Sequence, residues 1–337
     1  MRDEQGMAAV TAATQPRPIF IDCDPGVDDS IAILLALASP ELEVRAIGTV
    51  CGNVPVATGA ANALKVLELA GRSDIDVHRG CETALLTPPL YGKFHGAGGL
   101  GGLVLPEASA VPRPAHAVER MAQELRHARD AGTRLTICTL GPMTNLAMLL
   151  RLHPSLAGQI ERVVSMGGAF RSPGNRSLAA EFNMLADPHA AQVVFSAGLS
   201  TVVLSLDATH QVLTTPERVR RMSGEGSAGP VGQAVGQMLA TWDRNDVRRY
   251  AARGGPLHDP LVIAWLVAPH LFETQPAHVF VECESALCRG QTVADWYEQS
   301  GENADARIVT RVDADGVFAL LAERLQRLDR AETGTVR

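Results

Sequence analysis

Four aspartates within eight positions carry the first chemical signal: Asp22, Asp24, Asp28 and Asp29. They follow the apolar run Ile19-Phe20-Ile21, which predicts a buried strand. Pro25 and Gly26 force a turn, and the Ala/Leu-rich stretch from Ser30 predicts a helix. Asp28 and Asp29 then fall at the helix start, where carboxylates suit both capping and the positive end of the dipole. Carboxylates crowded between a strand tip and a helix start need a cation or protons. The plainer reading is a solvated, capped turn, although capping uses only one or two of the four.

Other polar groups have weaker individual signals. His258-Asp259-Pro260 precedes an apolar helix that Asp259 can cap and Pro260 can open. Glu181 and Asn183 stand two apart in a segment predicted to be extended, hence on one face, where they could bind a polyol. Thr144-Asn145 and Asp187-Pro188 read as helix starts. Gly96 to Gly101 matches G-x-G-x-x-G, but no strand precedes it and a Pro-containing loop follows. It reads as a flexible lid with His95 at its entrance. Strand-Asp22-x-Asp24 also suggests the aspartyl-nucleophile phosphohydrolases. The following Pro-Gly-Val-Asp-Asp and the shortage of lysines (Lys65 and Lys93) argue against them.

The elements that must position these residues alternate between strands and helices. After the first strand and helix come a strand at Leu42–Thr49, a helix near Pro55–Ala70 and a short strand at Ile75–His78. A Gly/Pro-rich loop fills 81–114, the length of a functional lid. Further helices are predicted at Ala115–Ala131, Gly141–Leu150, Ala190–Ala197, Val231–Arg249 and His258–Val267. The remaining strands are Arg134–Thr139, Ile160–Met166 and Thr201–Leu206, with an irregular loop at 169–184. Residues 277–312 read as β-rich and 313–328 as a closing helix. The pattern predicts one open α/β domain over 17–328, with a mainly parallel sheet and helices on both faces. Residues 1–16 and 329–337 read as loose tails. Ligands in such sheets bind at the carboxyl ends of the strands, and Asp24, Asn53, Leu140, Met166 and His258-Asp259 all fall there.

Composition narrows the function. A net charge of -7 and 4% aromatics disfavour nucleic-acid and anionic-membrane surfaces. Six cysteines without a C-x-x-C pair fit a reducing cytoplasm. No apolar run reaches membrane-spanning length, and no signal peptide is apparent.

Together the motifs resemble the nucleoside hydrolases, the inosine–uridine-preferring N-ribohydrolase family. The resemblance rests on Asp22-Cys23-Asp24-Pro25-Gly26-Val27-Asp28-Asp29, Gly52-Asn53, His95-Gly96 and Leu140-Gly141-Pro142-Met143-Thr144-Asn145. Met166-Gly167-Gly168, Glu181-Phe182-Asn183 and Leu257-His258-Asp259-Pro260 complete it. It implies Ca²⁺-dependent hydrolysis of ribonucleosides to ribose and free base by a homodimer or homotetramer. The implied ligands are Asp24, Asp29, the Leu140 carbonyl and Asp259. Asp24 matches the base that activates a metal-bound water, ahead of an oxocarbenium-like transition state. Asp28, Asn53, Asn175, Glu181 and Asn183 match ribose-binding positions, with Met166 beside the sugar and His258 a candidate acid for the leaving base. Trp242, Asp246 and Tyr250 occupy the region facing the base. The loop after His95 departs from the family pattern: Gly96-Ala97-Gly98-Gly99-Leu100 lacks the acidic residue often found before Leu. Remaining alternatives are a hydrolase of non-nucleoside ribosides, a non-catalytic ribose-binding protein and a structural subunit.

Overall fold

A computed structural model describes residues 15–223, 229–240 and 254–334. The strand predicted first is β1 (Arg17–Cys23), and the apolar stretch after the aspartates is α1 (Val27–Leu37). Next come β2 (Leu42–Thr49), α2 (Val56–Leu69), β3 (Val77–Arg79), α3 (Ala117–Asp130), β4 (Leu135–Thr139) and α4 (Thr144–Leu152). They are followed by β5 (Ile160–Met166), α5 (Phe182–Ala186), α6 (Pro188–Phe195), β6 (Thr201–Leu204) and α7 (Leu206–Thr209). Then follow β7 (Leu213–Thr214), α8 (Pro216–Met222), α9 (Pro230–Ala240), β8 (Gly255–Pro256) and α10 (Pro260–Val267). The chain closes with β9 (Phe272–Val281), β10 (Thr292–Asp295), β11 (Ala306–Val312) and α11 (Ala314–Gly334).

Nine strands form one sheet in the order β10-β9-β11-β6-β5-β4-β1-β2-β3. Eight strands point the same way, seven of them in parallel pairings, and β9 runs antiparallel to both of its neighbours, β10 and β11. β1 explains why the sheet is buried on both faces. Its side chains alternate, so Ile19, Ile21 and Cys23 join one core and Phe20 joins the other. The first core holds the apolar surfaces of α1, α2 and α10, and the second those of α3, α4 and α6. α1 and α10 pack together and are apolar all round, as a helix without a solvent face must be. Among the described residues no helix is long and apolar enough to cross a membrane.

The chain order jumps between β1 and its neighbour β4, so two connections leave in opposite directions there. That gap opens a crevice at the carboxyl ends of both strands. Asp24 lies just past one strand and Leu140 just past the other.

Several boundaries differ from expectation. Strand β6 stops at Leu204, because Leu206 N–H bonds Gly168 O and opens α7. Glu181 and Asn183 do not share an extended segment. Glu181 is the N-cap of α5 and Asn183 lies inside it. The closing helix continues to Gly334, through part of the expected tail. The predicted helix 231–249 is described only as far as Ala240.

Candidate active site

The turn after β1 folds onto the start of α1 because Asp29 reaches back over it. Its Oδ1 accepts from Asp24 N–H at 3.1 Å, and its Oδ2 accepts from Gly26 N–H at 2.9 Å. Asn53 Nδ2 donates to the same Oδ2 at 3.1 Å, and Asn53 N–H donates to Asp24 Oδ2 at 2.6 Å. Asp24 is packed so tightly that glycine is required beside it. A Cβ at Gly52 would lie 2.0 Å from Asp24 Oδ2, and one at Gly141 would lie 2.6 Å from Oδ1.

Asp259 enters from the N-terminus of α10. It occupies the cap position with helical φ/ψ of -61° and -36°, and its carboxylate does not cap the helix. The side chain instead joins the aspartates: Asp28, Asp29 and Asp259 each offer an oxygen within 4.8 Å of the others. All three are buried, as is Asp24. Burial and mutual repulsion hold Asp24 and Asp259 well above the ordinary carboxylate range. Burial, followed by the Asp28 charge, raises Asp29, and burial pushes Asp28 up to about 6. Asp24 Oδ1 and Asp28 Oδ1 are buried with no hydrogen-bond partner among the described residues. Orphaned oxygens on crowded carboxylates suit a hard divalent cation, which takes oxygen ligands.

Below this cluster, Asp22 accepts from Asn145 Nδ2 at 2.7 Å, and burial pushes it up to about 7. Asn145 also donates to Thr49 O and accepts from Cys81 N–H, tying α4 to the ends of β2 and β3. Thr144-Asn145 is therefore more than a helix start.

One cleft gathers the other predicted residues: Asp28, Asn53, His95, Leu140, Met166, Asn175, Glu181, Asn183, His258 and Asp259. Leu140 O accepts from Asn183 Nδ2 at 2.7 Å, and Met166 O accepts from the same nitrogen at 3.2 Å. Glu181 is committed to backbone: it accepts from Gly168, Asn183 and Met184 N–H groups. Burial still pushes it up to about 7. Asn175 Oδ1 accepts from Phe182 N–H, closing the loop before α5. His95 Nδ1 accepts from Val27 N–H at 3.0 Å, which pins the lid to α1. His258 Nδ1 lies 2.9 Å from Thr209 Oγ1. Its ring meets His210 edge-on, at 6.1 Å between centroids. Burial, then the nearby His210 and His95, pushes His258 down to about 3. Trp242, Asp246 and Tyr250 lie outside the described residues.

The cleft also includes Lys93, Phe94, Arg176 and Phe182, none of them a site residue by motif. Phe94, Arg176 and Phe182 adjoin His95, Asn175 and Glu181, and Lys93 stands two residues before His95, so nearness along the chain is the signal available in the sequence. Asp187 was read only as a helix start, yet it does more. It caps α6 through Ala190 N–H at 3.0 Å and accepts from Leu85 N–H and Thr144 Oγ1, both at 2.8 Å. Lid base, α4 and α6 thus meet on one buried carboxylate. Asp187→Ala is expected to destabilise the protein by about 3–5 kcal/mol, from a lost cap and buried donors left unpaired. A urea midpoint within about 1 kcal/mol of the parent's would refute this.

Residues 19–319 match the family model described as inosine-uridine preferring nucleoside hydrolase. A pyrimidine-specific ribonucleoside hydrolase, RihA, of Citrobacter koseri is 42% identical over 91% of this chain and 97% of the relative. An uncharacterised protein of Schizosaccharomyces pombe is also 42% identical, over 92% of this chain and 99% of its own length. Among solved structures, a purine-preferring ribonucleoside hydrolase from Gardnerella vaginalis superposes with a TM-score of 0.86. It is 28% identical and covers 94% of this chain and all (100%) of its own. A plant nucleoside hydrolase gives a TM-score of 0.83 at 32% identity, covering 92% of this chain and 99% of that one. With a parallel sheet, buried aspartates at its switch point and a match over nearly the whole chain, this protein belongs to the inosine–uridine-preferring nucleoside hydrolase family.

Proposed function

We propose that this enzyme hydrolyses the N-glycosidic bond of ribonucleosides with Ca²⁺ held by Asp24, Asp29, Asp259 and the Leu140 carbonyl. The observation that carries the reading is the buried aspartate cluster, with two orphaned oxygens, at the floor of the cleft. Asp28 adds a third oxygen beside Asp29 and Asp259. Leu140 O accepts from Asn183 and keeps a second lone pair. When bound, the cation supplies Lewis acidity that eases deprotonation of water and gathers vicinal hydroxyls.

The chain's own groups do the rest. Asp24 takes the proton from the attacking water. The carboxylates of Asp24, Asp28 and Asp29 stabilise the positive charge that develops on the ribosyl ring. Asn53, Asn175 and Asn183 orient the ribose hydroxyls, and Glu181 holds that wall by capping α5. Met166 packs beside the sugar, and His95 closes the cleft from the lid. Dependence on two vicinal hydroxyls suits ribonucleosides over 2'-deoxynucleosides. The named relatives include a pyrimidine-specific and a purine-preferring enzyme, and both base classes fall within the proposal. A homodimer or homotetramer in the cytoplasm belongs to the same reading, and six free cysteines agree with a reducing compartment.

The test is release of reducing sugar from purine and pyrimidine ribonucleosides, with and without a chelator. Metal-loaded protein that cleaves none of them would overturn the reading.

We assign the donor role toward the leaving base to a ring N–H of His258, which lines the cleft beside Thr209; burial keeps the ring neutral, so it acts by giving that N–H to the departing nitrogen as the bond breaks. A departing base anion needs a proton, whereas a p-nitrophenolate does not. His258→Ala is therefore expected to slow natural nucleosides about 10²-fold or more, and p-nitrophenyl riboside far less. Equal losses on both substrates would discard the role.

A further inference from the structure

The cleft carries positive charge that a neutral nucleoside leaves unanswered. Lys93 and Arg176 both line it, together with Asp28 and Asp259. Arg176 Nε is buried with no hydrogen-bond partner among the described residues. Three other arginines also bury an unpartnered Nε: Arg120, Arg162 and Arg324. Each of those spends its terminal nitrogens on a carboxylate. Arg120 pairs with Glu124, Arg162 with Glu161, and Arg324 with Glu41. Arg176 has no such pair among the described residues, although four aspartates lie in and under the same cleft.

A guanidinium is always charged, and its planar fork is shaped for carboxylate or phosphate. Left half-buried without an anion, it forfeits hydrogen bonds that water made in the unfolded chain. Its backbone is fixed: Arg176 N–H donates to Ala180 O, and the preceding Asn175 accepts from Phe182 N–H. The side chain is therefore delivered to the cleft by a held loop. An anion bound in this cleft has two cationic side chains, Lys93 and Arg176, among the residues that line it.

We propose that this cleft accepts ribosides that carry an anionic group, with Arg176 as the residue that pairs with it and Lys93 as support. The inference rests on the ribonucleoside-hydrolase reading. With the vicinal hydroxyls on the aspartates, the 5' carbon and the base are the parts of the substrate left to meet the other lining residues, Arg176 among them. The anion is a phosphate on the 5' oxygen or a carboxylate on the base, and both suit the guanidinium fork. The reaction is unchanged and balanced. Water oxygen bonds to C1', the C1'–N bond breaks with its electron pair on the base nitrogen, and a proton is delivered there. No second reactant enters.

Three probes decide: uridine, uridine 5'-monophosphate and orotidine, compared by kcat/KM for base release. Parent enzyme is expected to use at least one anionic riboside no less well than uridine. In Arg176→Ala the charged-to-neutral ratio of kcat/KM is expected to fall about ten- to a hundredfold, with partial recovery in Arg176→Lys. Loss confined to the monophosphate places the anion on the sugar side, and loss confined to orotidine places it on the base. Parent enzyme that prefers uridine over both would overturn the proposal. So would an Arg176→Ala enzyme that loses charged and neutral substrates by the same factor. Failure to cleave any of the three or any purine ribonucleoside refutes the hydrolase reading itself, whereas cleavage of a neutral ribonucleoside without the charge effect refutes only this inference.

Discussion

Asp24→Asn is expected to lower kcat/KM on ribonucleosides by about 10²–10⁴-fold while leaving the fold in place. The amide keeps the shape of the side chain and retains an oxygen for the Asn53 N–H, which Asp24 Oδ2 accepts at 2.6 Å. It cannot take a proton from water. The site offers no room for rearrangement, because Gly52 and Gly141 sit against the two carboxylate oxygens. Metal content must be measured alongside turnover. A variant that holds its cation, shows parental circular dichroism and is nearly inactive supports Asp24 as the base. A metal-loaded variant with near-parental turnover would remove Asp24 from that role.

Removing the cation is expected to make stability fall as pH rises above neutrality. Without it, burial pushes Asp22 and Glu181 up to about 7 and Asp28 up to about 6, and burial with mutual repulsion raises Asp24 and Asp259 well above the ordinary carboxylate range. These folded values exceed those of an unfolded chain, near 4. Each contribution is complete at low pH and is lost as pH rises through the folded value. His78, His95 and His258 work the other way, since desolvation lowers their folded values. They cost stability only below the unfolded histidine value of about 6.5, so above it the carboxyls alone set the sign. The expected slope between about pH 6.5 and 8 is about 1.4 kcal/mol per pH unit for each carboxyl still protonated. A bound divalent cation would hold the ligands ionised and should flatten that slope. Chelator-stripped, dialysed protein should melt several degrees lower at pH 8 than at pH 6.5. If it melts equally or higher at pH 8, the aspartate floor is not strained by its own charge.

The aspartate turn was legible because each signal there is local. An apolar run makes the strand, Pro25-Gly26 makes the turn, and a uniformly apolar stretch makes the buried helix. Strand-end placement then assembled the cleft from distant parts of the chain. What was misread depends on tertiary partners. The five-residue helix at Phe182–Ala186 has too few turns to show a period and is held by the Glu181 cap and Asn175. Asp259 has the residue type of a helix cap, but its backbone is already helical and its carboxylate serves the cluster. The short elements α7 and α8 and the β7–β8 ribbon lie between longer ones and went unread for the same reason. Thr209, Lys93 and Arg176 acquire meaning only from what faces them across space.

The aspartate floor joins residues that are synthesised far apart in time. Asp24 and Asp29 follow the first strand, whereas Asp259 opens α10 near the end of the sheet. At about 5–20 residues per second, roughly ten seconds to most of a minute separates their emergence from the ribosome. Through that interval the growing chain carries the early carboxylates without the late one. A cation that needs Asp259 therefore has an incomplete site until α10 is made and packs against α1, and we propose that it locks the chain at that late stage. Interactions that form after the transition state slow unfolding and leave the folding rate almost unchanged. The proposed cation should accordingly act on the unfolding arm of a chevron plot, as a late fastener whose release shortens the lifetime of the native enzyme.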